Sequence, residues 1–371
     1  MPRKIKTFDF SLMIIPIIFT VIGVSVIYSL VLGTASDGLA TKQGIIALFG
    51  IVTMLVVSFS DYRFFRGVAP ITYVISVFLL ILVNFFGKTT NGAENWLDLK
   101  FFQLQPSELA KVFLVISMSA FFSKLIGRIR WSHIFVSLCL LAPPLILVLM
   151  EPDLGTAVVI VVAYLTILLL AKPSASKVVT ILLVIAAAFG VITLSYRNVG
   201  SFSRLLATYQ KERIAVFLDP ALDPYGRGYN IKQAQITVGS GGITGKGLGK
   251  GSQSQLQFLP EAHTDFIFAG IAESYGFLGS FVLLVLYCFF IIRFIDIAAL
   301  SKDNFGMLLV FGLSSMFLIQ LVISVGMNLG ILPVTGIPLP FLSYGGTSLF
   351  VSYFAVGLAQ SVYIRHHKIN F

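Results

Sequence analysis

The sequence predicts an all-α integral membrane protein of about ten transmembrane helices, with both termini cytoplasmic and one long extracytoplasmic loop between spans seven and eight. Three observations carry this prediction. Hydrophobic residues make up 57% of the 371 residues and charged residues 11%, against roughly 25% charged in soluble domains. Apolar runs long enough to cross a bilayer core, ~20 residues each, recur along the whole chain. Lys and Arg alternate between crowded and sparse inter-run segments, as cytoplasmic and outer loops do.

The runs lie at 10–32, 43–60, 68–87, 107–123, 132–150, 154–171, 177–195, 266–292, 305–329 and 345–364. The first follows a basic start, but it is too long for a signal-peptide core and no small-residue cleavage site follows it, so an uncleaved span is expected. Arg63, Arg66, Lys124, Arg128, Arg130, Lys172, Lys177, Arg293, Lys302 and Arg365 fall on one side, with the basic N-terminus. The short segments opposite carry only Lys42, Lys88 and Lys100. The net charge of +10 is thus a topology signal, and no nucleic-acid partner is expected. Cys139 and Cys288 sit alone in apolar runs, without the spacing of a disulfide framework or a metal site.

The loop at about 196–264 is the one polar stretch, and the whole of 1–371 reads as a single polytopic domain around it. A connection of that length without a function is uncommon. Its run Gly239-Ser-Gly-Gly-Ile-Thr-Gly-Lys246-Gly247 fails as a P-loop on spacing and lacks Ser or Thr after the lysine. A mobile or turn-rich substrate loop, with Arg213 and Lys246 among its basic residues, is the better reading.

Four polar islands mark the outer side. Glu261, His263 and Asp265 cluster where span eight begins, and Glu273 follows ~12 Å further along the helix. Asp265 reads either as a helix-start carboxylate favoured by the dipole or as a catalytic group, and His263 alone reads as a loop residue. Glu273 lies inside a span, where an acid needs a polar cavity or a partner. In Gln105-Pro-Ser-Glu108-Leu-Ala-Lys111, Glu108 and Lys111 are i, i+3 neighbours that can pair, as an anchor or as an anion site. Glu151-Pro-Asp153 forms a tight outer turn in which Asp153 can cap span six. Residues 331–347, with Ser343, hold three prolines and three glycines near membrane depth, backbone that persists only when buried in protein or lining a wet cavity. A cleft lined by acids and bases and opening to lipid suits an amphiphile with an anionic head.

At these residues the sequence resembles the SEDS family (shape, elongation, division and sporulation). The matching segments are NGAENWLDL (91–99), QPSELAK (105–111), EPDLGTA (151–157), LDPALDPYGRGYNIKQAQITVGSGGITGKG (218–247), QSQLQFLPEAHTDFIF (253–268) and ILPVTGIPLPFLSYGGTS (331–348). The wording is closer to the elongation branch than to the division branch. The resemblance implies a glycosyltransferase at the outer face of the bacterial cytoplasmic (inner) membrane that polymerises lipid II into β-1,4-linked glycan. The growing strand is the donor, and undecaprenyl pyrophosphate leaves. The family's essential acid maps onto Asp265. Substrate-binding roles are expected for Glu108, Lys111, Asp153, Arg213, Lys246, Glu261, His263, Glu273 and Ser343. A divalent cation such as Mg2+, a class B penicillin-binding protein transpeptidase, other elongation-machinery proteins and membrane lipid are the expected cofactor and partners. The chain departs from the family at Asn95, where Arg is common, and at Ser274, where a second Glu is frequent. The rival readings are a lipid II flippase, which needs an inward path as well, and a secondary transporter, which needs ionisable groups at the midplane.

Overall fold

The computed structural model describes residues 8–31, 38–90, 93–98, 103–197, 199, 207–256 and 258–366. The basic residues of the first and last few positions, and the side chain of Asn95, lie outside the described residues. Ten helices coincide with the expected spans: α1 (Phe10–Val31), α2 (Leu39–Phe59), α4 (Ala69–Phe86), α5 (Pro106–Phe122), α6 (Trp131–Met150), α7 (Leu154–Leu170), α8 (Ala175–Tyr196), α12 (Ile267–Leu300), α13 (Asn304–Asn328) and α14 (Gly346–Ile364). Eight of them are long and apolar enough by themselves to cross a membrane. The other two, α5 and α7, have 17 residues each, and α5 carries the charges Glu108 and Lys111. An even number of crossings puts both described ends on one side, and the basic asymmetry makes that side cytoplasmic.

Helix starts follow capping chemistry. Asp153 Oδ1 accepts from Thr156 N at 2.9 Å to open α7, and Asp303 Oδ1 accepts from Gly306 N at 2.8 Å to open α13. Asp61 does the same for the short cytoplasmic α3 (Tyr62–Gly67). Between α4 and α5 the chain forms a small antiparallel sheet of β1 (Lys88–Thr90), β2 (Ala93–Asp98) and β3 (Gln103–Leu104), the only strands among the described residues. The core lies along α14 and α13, whose most apolar stretches are 83% and 67% buried, whereas α8 is 6% buried and stands at the periphery. On the cytoplasmic side Arg365 donates to the carbonyls of Ser58 at 3.3 Å and Phe59 at 2.8 Å, tying the end of α14 to the end of α2.

Two expectations need correction. The segment after span seven is more helical than a mobile loop: it contains α9 (Thr208–Leu218), a 3-10 turn (Pro220–Leu222), α10 (Arg227–Ser240) and α11 (Ser252–Gln255). Span eight does not end near 292 but runs for 34 residues, ~51 Å of helix against a core of ~30 Å. It is interrupted at Gly276, whose φ of +68° and ψ of −167° are not helical. The glycine-rich run after α10 fills that interruption. Lys246 N donates to Glu273 O at 2.9 Å and Gly247 N to Ser274 O at 3.0 Å, while Phe277 N and Leu278 N donate to Gly242 O and Ile243 O at 2.9 and 3.0 Å. Four backbone groups freed by the break are thus satisfied within the protein, as a low-dielectric surround requires. The glycines are needed for the approach: a Cβ on Gly276 would lie 2.2 Å from Gly245 N, and one on Gly245 would lie 2.3 Å from Ser274 O.

Candidate active site

Asp265 lies in the turn, residues 260–266, that leads into α12. Glu261, at φ +52°, reverses the chain there, and its carbonyl accepts from Thr264 N and Phe266 N at 3.2 and 3.3 Å. The carbonyls of His263, Thr264 and Asp265 are all held from the C-terminal part of the chain. Tyr344 N donates to His263 O at 2.8 Å, Ser343 Oγ to Thr264 O at 2.6 Å, and Asn328 Nδ2 to Asp265 O at 3.0 Å. The Asp265 carboxylate itself has no protein hydrogen bond among the described residues. It faces the backbone of Gly336, where a Cβ would stand 3.5 Å from Oδ2.

Burial pushes the Asp265 carboxyl up to about 7, helped by the negative charges of Glu261 and Asp153 and opposed by Arg213. Arg213, on α9, packs its guanidinium 5.8 Å from the Tyr209 ring centre and reaches the Pro152 carbonyl at 3.4 Å. Its Nε and one terminal nitrogen are buried without a hydrogen-bond partner. Burial and the neighbouring Arg227 lower its pKa, while Asp153 and Asp265 act the other way. Asp153 is raised by burial, opposed by the Thr156 hydrogen bonds and the positive charge of Lys111. Glu151, two residues earlier, is pushed up to about 9 by burial and by Asp153.

Lys111 Nζ and Glu108 Oε1 are 2.6 Å apart on α5, with side chains 2% and 3% exposed. The charges of both act on Asp153, which in turn acts on Arg213 and Asp265. Five sequence candidates on four separate segments therefore form one electrostatic chain at the outer face: Glu108, Lys111, Asp153, Arg213 and Asp265. Glu261 borders it through its effect on Asp265.

The other candidates lie elsewhere or are committed internally. The Ser343 hydroxyl donates to Thr264 O and accepts from Leu339 N at 2.9 Å, and the side chain is buried, so it holds the turn. The His263 ring is tilted against Tyr344 at 5.9 Å, and burial lowers its pKa against the pull of Glu261. Lys246 and Glu273 pair with each other at 3.0 Å at the interruption of α12, ~12 Å along the chain from Asp265. Two contributors escaped the sequence reading. Gln43 accepts from Gly345 N and donates to Ser343 O at 2.9 Å. Asn328 is fully buried at the end of α13. Each is a lone amide in an apolar run, a signal available in the sequence but not distinctive. No group of three or more His, Cys, Asp or Glu among the described residues is arranged to hold a metal ion.

These features define a class: a polytopic membrane protein whose candidate site is an acid with a raised pKa, in the field of Arg213 and, through Asp153, of the buried Lys111, at the outer end of the bundle. The FtsW/RodA/SpoVE model, described as "Cell cycle protein", matches residues 4–368, and the chain belongs to that family. It is 37% identical over 373 residues to the peptidoglycan glycosyltransferase MrdB of Escherichia coli strain K12, covering 99% of this chain and 98% of the relative. It is 32% identical over 435 residues to the peptidoglycan glycosyltransferase RodA of Treponema pallidum, covering 98% and 99%. Among solved structures it resembles a chain of a peptidoglycan synthase complex that coordinates polymerisation and crosslinking, with a TM-score of 0.81 and 29% identity over 97% of this chain and 99% of that one. The rod shape determining protein RodA of Thermus thermophilus matches with a TM-score of 0.70 and 25% identity, over 97% and 98%. The protein is a multi-pass protein of the bacterial inner membrane.

Proposed function

We propose that this protein is the peptidoglycan glycosyltransferase of cell elongation, polymerising lipid II into β-1,4-linked glycan at the outer face of the membrane, with Asp265 as general base. The observation that carries the proposal is the placement of the Asp265 carboxylate: without a protein hydrogen bond among the described residues, raised to about 7, and coupled by charge through Arg213 and Asp153 to the buried Lys111. A base whose pKa lies near the working pH is both available and strong enough to accept a proton.

In this reading the GlcNAc 4-hydroxyl of an incoming lipid II attacks the anomeric carbon of the donor MurNAc. The new C–O bond forms as the bond to pyrophosphate breaks, with inversion. The hydroxyl proton passes to Asp265, and undecaprenyl pyrophosphate carries away the bonding electron pair. Developing negative charge on that leaving group calls for fixed cations, which the unpartnered guanidinium nitrogens of Arg213 and the ammonium of Lys111 supply. Asp153, which caps α7, places a negative charge that acts on both cations. The apolar helices of the bundle suit the undecaprenyl tail. A class B penicillin-binding protein that crosslinks the strands is the proposed partner, in line with the synthase complex it resembles.

The test is strand synthesis from lipid II alone by the purified protein in detergent, with and without the transpeptidase. Long glycan strands that disappear in Asp265→Asn are expected. Transbilayer movement of lipid II in proteoliposomes without any strand formation would support the flippase reading instead.

A further inference from the structure

We infer that Asn328 is a positioning residue for Asp265, setting the aim of its carboxylate through the backbone; the inference rests on the general-base reading above.

The Asp265 side chain carries no anchor of its own. No protein group among the described residues hydrogen-bonds its carboxylate, so its direction is set by the backbone that carries it. That backbone is a turn, residues 260–266, with no ladder or helical register of its own. Fixing such a segment costs conformational entropy at every residue, and something outside it must supply the restraint.

Asn328 supplies it at the catalytic position. Its Nδ2 donates to the Asp265 carbonyl at 3.0 Å and to Ser324 O at 2.8 Å, and its Oδ1 accepts from Ala269 N at 3.0 Å. The side chain is 0% exposed, so water does not compete for these groups. One carboxamide thereby grips both sides of the junction: the carbonyl of Asp265 and a first-turn amide of α12, Ala269 N, which it shares with the Phe266 carbonyl at 3.0 Å. The bond to Ser324 locks the Asn328 rotamer to its own helix, so the grip is referred to α13, one of the most buried elements of the bundle. Tyr344 N and Ser343 Oγ hold the two preceding carbonyls. Among the described residues, only Asn328 holds the residue that carries the base.

The prediction concerns rate and pH dependence together. Asn328→Leu keeps the volume and removes both donor and acceptor, while Asn328→Gln keeps the carboxamide one methylene further out. A displacement of ~1 Å at a reacting group can cost on the order of 100-fold in rate. The Leu variant is expected to lose about 10–100-fold in kcat, with KM for lipid II within about two-fold of wild type. The acidic limb of its pH–rate profile should move, because the carboxylate no longer sits in the same surroundings. The Gln variant should fall between. A loss that merely reflects less folded protein would lower the amplitude and leave the limb in place, and that result would overturn the inference, as would wild-type kcat in the Leu variant. If the Leu variant does not fold, the Gln variant decides by the same two criteria. Asp265→Asn is run beside them. If it is inactive and Asn328→Leu is normal, the positioning role alone fails; if Asp265→Asn polymerises normally, the general-base reading fails and the positioning role with it.

Discussion

Lys246 Nζ lies 3.0 Å from Glu273 Oε1, joining the glycine-rich run after α10 to the interrupted helix α12 at a carboxylate with no solvent exposure. The same oxygen accepts from Ser240 Oγ at 3.2 Å and from the backbone of Gln253 at 2.9 Å. An acid in a membrane span demands such partners. The contact explains why a chain that leaves the bundle at α8 returns to it before Asp265: the outer segment is anchored on α12, the helix that begins just after Asp265.

Lys246→Met is expected to destabilise the protein without touching the Asp265 cluster. Ser240 and Gln253 still donate to Glu273 and the lysine is partly exposed, so the loss should resemble one charged hydrogen bond, about 1.5–3 kcal/mol. Lys246→Met with Glu273→Gln should recover part of it. Thermal melting in detergent measures both.

Gly276→Ala should be far worse than Gly127→Ala. Both glycines have positive φ, +68° and +72°, but a Cβ on Gly127 meets nothing within 4 Å, whereas one on Gly276 meets Gly245 N at 2.2 Å. Backbone strain alone costs about 1–3 kcal/mol. The Gly276 variant adds a clash and unseats the run 242–247, so a loss of folded yield is expected there and only a modest melting shift at Gly127.

Polymerisation should rise with pH through about 7. Asp265 works as a base only when ionised, and its pKa is raised to about 7, so the protonated, inactive form dominates below that value. Asp265→Asn should cost roughly 100–10,000-fold at every pH while still binding lipid II. Initial rates of strand synthesis from pH 5 to 9, alongside a lipid II binding assay, check both statements.

Lys111 needs two variants rather than one. Its ammonium and Glu108 are both buried, and removing one partner of a buried pair costs about 3–5 kcal/mol because the other charge is stranded. Lys111→Met should therefore lower melting as well as activity. The double variant Lys111→Met/Glu108→Gln should recover melting but not strand synthesis. Recovery of both would assign the pair to the fold alone.

Tyr225→Cys, in a chain with Cys139 and Cys288 replaced by serine, should react with an impermeant thiol reagent in intact spheroplasts. Tyr225 is 96% exposed in the outer segment. Gly241, a natural choice from sequence, is unsuitable because a Cβ there would lie 2.0 Å from Ala272 O. Reaction only after permeabilisation would reverse the topology.

Spans, orientation and the outer location of the polar islands were legible in the sequence because the bilayer makes them local matters. Each helix satisfies its own backbone hydrogen bonds, and each short loop is sorted by its own Lys and Arg. The Glu108–Lys111 pair was legible for the same reason, as i, i+3 neighbours on one helix. The interruption at Gly276 was not, because it survives only through hydrogen bonds from residues 242–247, some thirty positions away. Nor could spacing show that Arg213 on α9, Asp153 before α7 and Asp265 before α12 share one electrostatic environment. The raised pKa of Asp265 depends on burial and on charges brought together by packing, and the amide that steadies it comes from the far end of α13. Local rules wrote the helices into the sequence; the site belongs to contacts that exist only once those helices have assembled.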